Sequence, residues 1–399
     1  MGGVPYALPG VFPANGGSGW DVPLLADLDD IKTRLQQHEA SYGVLVDAFP
    51  GGTDDARLQA AMSYAAAQTR PPALLLSNRA YSFTGGPYPY YNGMRLVGSL
   101  GTTEREFQST GPQCLATIGG SAFLSVPSGG AQNIWISGIQ FRAASGSVSF
   151  QTPITDFSNG PILQDVDYRN LAWVGFKNVL HARHLRASIE RTYTNNGTDT
   201  QFKLAGSDNF YWTEGKSYIS AHALTASMYY VYFTHMSRTS VGPLYITPEV
   251  ATGVRIDGSY GNLVFRGTLF DSTGRTSSTA CQGAALLITG GKGVVFDTCW
   301  FFNNAVNPSS TGRSPVDKGQ VFIRGSAADL LFMGCQWGGG DAQTVVTPAG
   351  TPAIYAATGV TNVKVSNPIA PNGGNKLLQH QSSGIITTTG AADWTLSVA

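Results

Sequence analysis

"IWISGIQF" (Ile134–Phe141) and "LVFRGTLF" (Leu263–Phe270) spell one pattern, apolar-x-apolar-x-turn-x-x-aromatic, and the chain repeats it. Further copies read "VDYRNLAW" (Val166–Trp173), "VVFDTCWF" (Val294–Phe301) and "LLFMGCQW" (Leu330–Trp337), and a degraded one, "VKVSNPIA", opens at Val363. The first two starts lie 32 residues apart; from Leu263 onward the steps are 31, 36 and 33. The gap of 97 residues between Val166 and Leu263 is about three periods and predicts irregular copies inside it. Self-similarity on this scale marks a solenoid or a propeller, but propeller blades need ~40–45 residues and four strands each. Here a second short strand precedes each late copy: "VRIDG" at Val254, "LLITG" at Leu286, "VFIRG" at Val321 and "AIYAA" at Ala353. Two short strands and a longer excursion, repeated, are the rung of a parallel β-solenoid.

Side chains alternate faces along a strand, so the first and third positions of each copy point inward. The turn position holds Gly138, Asn170, Gly267, Thr298, Gly334 and Asn367. Five of these six are Gly or Asn, which tolerate the positive φ of a sharp bend. The closing aromatics Phe141, Trp173, Phe270, Phe301 and Trp337 are expected to stack along one inner corner. Cys299 and Cys335 share one slot of adjacent copies and are expected to stack as small buried residues, a disulfide being the other arrangement open to them.

Composition agrees with an all-β chain. Of 399 residues only 13% are charged, against an ordinary ~25%, and 49 are glycine. The apolar fraction of 42% is too high for disorder. Net charge is zero and no basic stripe appears, which argues against a nucleic-acid partner. No apolar run reaches the ~20 residues of a membrane span. The start "MGGVPYALPG" has neither the charged region nor the apolar core of a secretory signal, so synthesis and folding in a cytoplasm are expected.

A solenoid needs its open end covered. In "VDAFPGGTDDARLQAAMSYA" (Val46–Ala65) the stretch Thr53–Gln68 predicts a capping helix whose apolar face is Leu58, Ala61, Met62 and Ala65. Asp54 or Asp55 is expected to accept from the free N–H groups of its first turn. Pro71-Pro72 ends it, and "ALLLSNRAYSF" and "GMRLVGSLG" (Gly93–Gly101) supply the first strands.

This stretch, Val44–Gly101, resembles the N-terminal segment of pectate-lyase-like right-handed parallel β-helices found in bacteriophage tailspikes and tail fibres. The chain departs from them in reading "DAFPGGTDD" where Gly-Ala-x-Gly-Asp is usual. The resemblance implies a right-handed parallel β-helix over 44–370; beyond Pro371 the rung pattern fades, and 371–399, ending in "GIITTTGAADWTLSVA", reads as a C-terminal β tail. The resemblance also implies an N-terminal segment, 1–43, for virion attachment or oligomerisation. Activity follows poorly from the fold, which carries lyases, hydrolases and binding proteins alike. The implied role is a trimeric minor tail protein of the virion that meets other tail proteins through its N-terminus and recognises host-surface glycan. The alternative is a polysaccharide depolymerase, hydrolase or lyase.

Three sets of candidate residues follow. Leu24, Leu28, Ile31, Leu35, His38 and Tyr42 form a heptad-like seam that suits either a bundle of identical chains or a lone amphipathic helix. Second strand positions point outward, yet after Arg255 they hold Leu287, Phe322 and Ile354 in one sheet, and after Trp135 and Asp167 they hold Val264, Val295 and Leu331 in the other. Such ladders suggest a face covered by sister chains, or by loops of the same chain. In the irregular middle, "DNFYWTEGKSYISAH" (Asp208–His222) and "MYYVYFTHM" (Met228–Met236) gather Tyr211, Trp212, Glu214, His222 and His235 as a candidate glycan groove. The same aromatics suit core and interface. The carboxylates Asp165, Asp167, Glu190, Asp208, Glu214, Glu249, Asp257, Asp271 and Asp297 are scattered, and spacing alone pairs none of them into a glycosidase dyad. "HARH" (His181–His184) is a weak metal signal without a third ligand, so neither metal nor cofactor is expected.

Overall fold

The computed structural model describes residues 43–99, 114–205, 209–219, 229–234, 236–248, 252–258, 260–271, 284–302, 321–337, 354–369, 378–380, 384–386 and 394–396. Its strands pair in parallel with the strand one rung on, which makes the fold a right-handed parallel β-helix. A late rung holds three strands, not two. Thr252–Asp257, Tyr260–Arg266 and Leu269–Asp271 stack under Leu286–Ile288, Lys292–Asp297 and Trp300–Phe302. These lie in turn under Val321–Ile323, Ala328–Met333 and Gln336–Trp337. The eight-residue motif therefore spans a corner: its first half is a second-sheet strand and its aromatic end belongs to a third sheet.

The gap between Val166 and Leu263 contains three more copies, one more than its length suggests. Val166, Ala187, Phe210, Thr239 and Leu263 occupy one column. These rungs are short because they lack the long excursion of the later ones. All six turn residues have left-handed φ, from 47° at Asn367 to 68° at Gly138. Arg191 and Glu214 occupy the same corner at 51° and 52°, which no glycine pattern announces. A second left-handed column precedes the second sheet: Asn133, Asp165, Arg186, Asn209, Arg238, Asn262, Asp329 and Asn362. Short polar side chains dominate it because they tolerate this conformation.

The core is a set of inner columns. One runs Leu74, Leu96, Ile136, Tyr168, Ile189, Trp212, Val241, Phe265, Phe296, Phe332, Val365. In the next, Phe270 and Phe301 stack at 4.8 Å and Phe301 and Trp337 at 4.4 Å, with rings nearly parallel. Phe141 and Trp173 are register partners in that column, while Thr194, Ser217 and Ile246 hold the register positions between Trp173 and Phe270. Cys299 and Cys335 are buried free thiols.

The capping helix spans Asp54–Ala66 and buries Leu58, Ala61, Met62 and Ala65. Its N-cap is Thr53, whose hydroxyl accepts from the Ala56 N–H at 3.2 Å. Asp54 and Asp55 do not cap it. Asp54 accepts from Arg79 (2.7 Å) and the Ser82 N–H (2.9 Å), and Asp55 from the N–H groups of Thr84 and Gly85 and the Tyr88 hydroxyl. The acidic pair ties the cap to the first rung. Arg79 also binds Asp47, which accepts from Tyr81 (2.9 Å) and Ser77 too. Although burial opposes it, this network holds the Asp47 carboxyl down to about 2. At the far end Leu378–His380 continues the first sheet in parallel, and Gly384–Ile386 and Trp394–Leu396 pair antiparallel to the sheet.

The outward ladder of the first sheet is corrected by one residue. Phe322 pairs with Tyr355, so Ile354 lies beside Val321 in the core at 1% exposure. The motif "AIYAA" reads as a strand in either register, and only the pairing separates them. Leu287, Phe322 and Tyr355 are buried within this chain, in one cluster with Ala284. Leu28, Ile31 and Leu35 lie outside the described residues.

Candidate functional site

Strand alternation gives the second sheet one outward column: Arg95, Trp135, Asp167, Ser188, Tyr211, Ser240, Val264, Val295, Leu331, Lys364. Its N-terminal half is aromatic and polar; its C-terminal half is apolar. Trp135 and Tyr211 are 41% and 52% exposed, although rings of this size are usually buried, so this column is the natural place to look for a ligand.

Charges flank the two rings in a fixed pattern. In the next outward column Ser137, Arg169, Glu190 and Thr213 are partners across rungs. The Arg169 guanidinium lies 5.4 Å from the Trp135 ring centroid and reaches both Asp167 and Glu190 at 3.5 Å. Ser188 donates its hydroxyl to Asp167. At the corner before the sheet, Arg186 forks onto Asp165 at 2.5 and 2.8 Å, and that guanidinium holds the Asp165 carboxyl below its usual range. At the opposite corner Arg191 meets Glu214 at 2.7 Å. Arg186, Asp165, Arg191 and Glu214 all have left-handed φ. Non-glycine residues held there cost ~1–3 kcal/mol each, so the corners aim these charges at some expense. A groove of about 480 Å³ opens between Asp165, Asp167, Arg186, Ser188, Asn209 and Tyr211. That size falls in the range of small-ligand sites.

The sequence-derived candidates divide. Tyr211 borders the groove. Its neighbour Trp212 is 2% exposed in the core column between Ile189 and Val241, because adjacent strand residues face opposite sides. Glu214 sits at the corner as the partner of Arg191. His222 and His235 lie outside the described residues. In "MYYVYFTHM" Phe233 is core, and the Tyr232 ring lies between the Lys203 ammonium (5.1 Å) and the Arg255 guanidinium (4.7 Å), its hydroxyl on Asp257. It stacks on cations and offers no open platform. Trp135 and Asp167, which motif position already put in the outward column, complete the face with Asp165, Arg169, Arg186, Ser188 and Glu190; spacing joined none of them to Tyr211. The signal was weak: "ASIERTYT" (Ala187–Thr194) keeps the two apolar positions of the motif and puts Glu190 at the fourth, but has Arg191 at the turn and Thr194 in place of the closing aromatic.

His181 and His184 stand on a strand, Leu180–Asn195, where i and i+3 do not converge. Among the described residues no three His, Cys, Asp or Glu side chains gather as a metal site. A larger groove, about 630 Å³, runs along the glycine-rich corner between Asp257 and Asp329, with Lys292 in its wall and no aromatic ring lining it.

No family model matches the chain, and no curated protein matches it. Solved structures do resemble it. The A-module of mannuronan C-5 epimerase AlgE6 from Azotobacter vinelandii aligns at a TM-score of 0.49 and 10% identity, over 84% of this chain and 97% of that one. The surface adhesin PfbA of Streptococcus pneumoniae aligns at 0.43 and 10%, over 89% and 99%. Tailspike protein 3 of bacteriophage CBA120 aligns at 0.40 and 11%, over 96% and 66%. By its own register and its columns of left-handed corners, the chain has the fold of a right-handed parallel β-helix.

Proposed function

We propose that the protein is a tail-fibre- or tailspike-like minor tail protein of a bacteriophage that binds host-surface glycan as a homotrimer. The observation that carries the glycan reading is the pair of exposed rings, Trp135 and Tyr211, in one outward column with hydrogen-bonding groups between them. Aromatic faces stack on the C–H faces of sugars, and Asp167, Ser188 and Asn209 offer partners for hydroxyls. The resemblance of Val44–Gly101 to tailspike and tail-fibre segments supports the virion setting, with residues 1–43 as the attachment to other tail proteins.

The trimer reading rests on the other half of the molecule. Val264, Val295 and Leu331 form a half-buried apolar ladder; Trp300 and Met333 are exposed on the rungs of Val295 and Leu331, and Ile369 is exposed one rung further on. A large exposed apolar face favours a partner surface. Replacing Leu331 and Trp300 together by aspartate is expected to leave the chain folded and reduce its mass in light scattering to one third. An unchanged mass would place the contact elsewhere.

One observation keeps the depolymerase in view: the carboxylates of Asp167 and Glu190 face the same side on adjacent rungs. A glycosidase acid needs a raised pKa. Of the carboxyls lining the groove, Asp165 is held low by the Arg186 guanidinium, the opposite of what an acid catalyst needs, which favours binding over cleavage. The test is titration of the full chain against purified bacterial surface polysaccharides. Trp135→Ala and Tyr211→Ala are each expected to weaken binding about tenfold, or ~1.4 kcal/mol, without shifting the melting temperature. Binding unaffected by both would retire the face; reducing ends or unsaturated products would move the reading to the depolymerase.

A further inference from the structure

We infer that the glycan taken by the Trp135–Tyr211 face is electrically neutral and lies along the solenoid axis, an inference that rests on the glycan reading above. Direction follows from the column. Trp135, Asp167, Ser188 and Tyr211 are consecutive register partners, so the two rings are three rung steps apart, about 14 Å at the spacing of paired strands. A sugar repeat is of the same order as one rung. A linear chain parallel to the axis can therefore rest one ring on Trp135 and another on Tyr211, with the intervening hydroxyls over Asp167 and Ser188. A chain crossing the axis meets only one of the two platforms.

Charge follows from the ion pairs. The strip between the rings presents three guanidiniums, and each is already engaged. Arg169 bridges Asp167 and Glu190, Arg186 forks onto Asp165, and Arg191 binds Glu214 at 2.7 Å and Glu190 at 3.8 Å. Arg186 has its N–H fork in use on Asp165, and the charges of Arg169 and Arg191 are balanced by the carboxylates beside them, which leaves no unbalanced cation for the carboxylate or phosphate of an acidic sugar. Four carboxylates against these three guanidiniums leave the strip slightly negative, which repels an acidic polymer during approach and in the complex. Hydroxyl groups meet no such conflict. They donate to carboxylate lone pairs that the single contacts of Arg169 leave open, and they accept from the Asn209 amide at the groove edge. Paired charges between two flat apolar platforms suit a ligand with hydroxyls and C–H faces and no net charge.

The experiment measures binding of the full chain to two immobilised sets of bacterial polysaccharides, one neutral and one bearing uronate, sialate or phosphate groups. Each is read at low and high salt. Wild type is expected to bind within the neutral set only, with affinity constant to about twofold across salt, and to lose about tenfold in Trp135→Ala or Tyr211→Ala. In the double variant Asp167→Asn, Glu190→Gln, Arg169 loses both partners. That variant is expected to gain binding to acidic polymers, and the gain should fall at high salt. Wild-type binding to acidic polymers that is lost in Trp135→Ala overturns neutrality and leaves the glycan reading in place. Binding that survives both aromatic substitutions, or no binding to either set, overturns the glycan reading itself.

Discussion

Phe301→Ala is expected to destabilise the protein by about 3–5 kcal/mol, the range for truncating a buried aromatic ring. The ring is fully buried and lies flat between Phe270 at 4.8 Å and Trp337 at 4.4 Å. Its loss opens a void that no neighbour can fill, because each flanking ring is fixed by its own rung. A solenoid is stabilised by contacts between adjacent rungs, so one cavity here weakens two interfaces at once. Trp300, the preceding residue on the same strand, is 49% exposed on the outer face. Trp300→Ala removes a larger side chain yet opens no cavity inside the chain, so it is expected to cost under ~1 kcal/mol of the protomer's own stability, with any weakening of the proposed trimer contact read separately as mass. Thermal or urea unfolding of the two variants side by side makes the comparison. Similar losses for both would contradict the inward and outward assignment on which every column depends.

That assignment was legible in the sequence wherever the motif was strong. Phe301 and Phe270 occupy the same slot of "VVFDTCWF" and "LVFRGTLF", and they stack as their slot requires. Gly138, Asn170 and Gly334 announced their corners because few other residues accept left-handed φ. Legibility failed where a residue's neighbours along the chain outweighed its neighbours across rungs. Tyr211 and Trp212 looked like one aromatic cluster; in a strand they face opposite sides, and only Tyr211 reaches solvent. Asp54 and Asp55 looked like a helix start, which they are in position, but their partners lie some thirty residues away on the first rung. The corner residues Arg191 and Glu214 carry no sequence mark of positive φ. Their ion pair exists because the register brings them together. Ile354 illustrates the remaining difficulty: a three-residue strand has no internal signal that fixes its register, and its neighbour Tyr355 took the outward place. The proposed binding face is distributed over several rungs, and each rung contributes one or two polar residues that mean little alone.

The largest pH effect is expected between about pH 6.5 and pH 4, and its source is a pair of histidines. His184 is fully enclosed in the core, with Tyr168 and Phe210 rings 6.1 and 6.2 Å from its own, and neither ring nitrogen has a hydrogen-bond partner. Burial lowers its pKa to about 4. His181, three residues earlier, is pushed down to about 4 by the same cause, against a hydrogen bond in which its Nε2–H donates to the Thr200 carbonyl at 2.7 Å. Both rings are neutral in the folded chain, and both bind a proton near pH 6.5 once unfolded. The unfolded state therefore takes up more protons as pH falls through this window, and folding stability declines with it. At pH 4.5 each ring is expected to have withdrawn about 2–3 kcal/mol relative to pH 7.5. Below about pH 4 the folded rings titrate as well, and that loss levels off. The low carboxyl of Asp47 acts only further down, because its contribution is retained until pH drops below the ordinary aspartate value. The two windows are separable. His184→Leu, close in volume and unable to ionise, is expected to remove about half of the decline between pH 7.5 and pH 4.5 while leaving the carboxylate loss below pH 4 unchanged. Unfolding midpoints of wild type and variant across this range provide the measurement. A decline of equal depth in both would mean that His184 gains a proton without cost, and that the core around Tyr168 is wetter than its packing indicates.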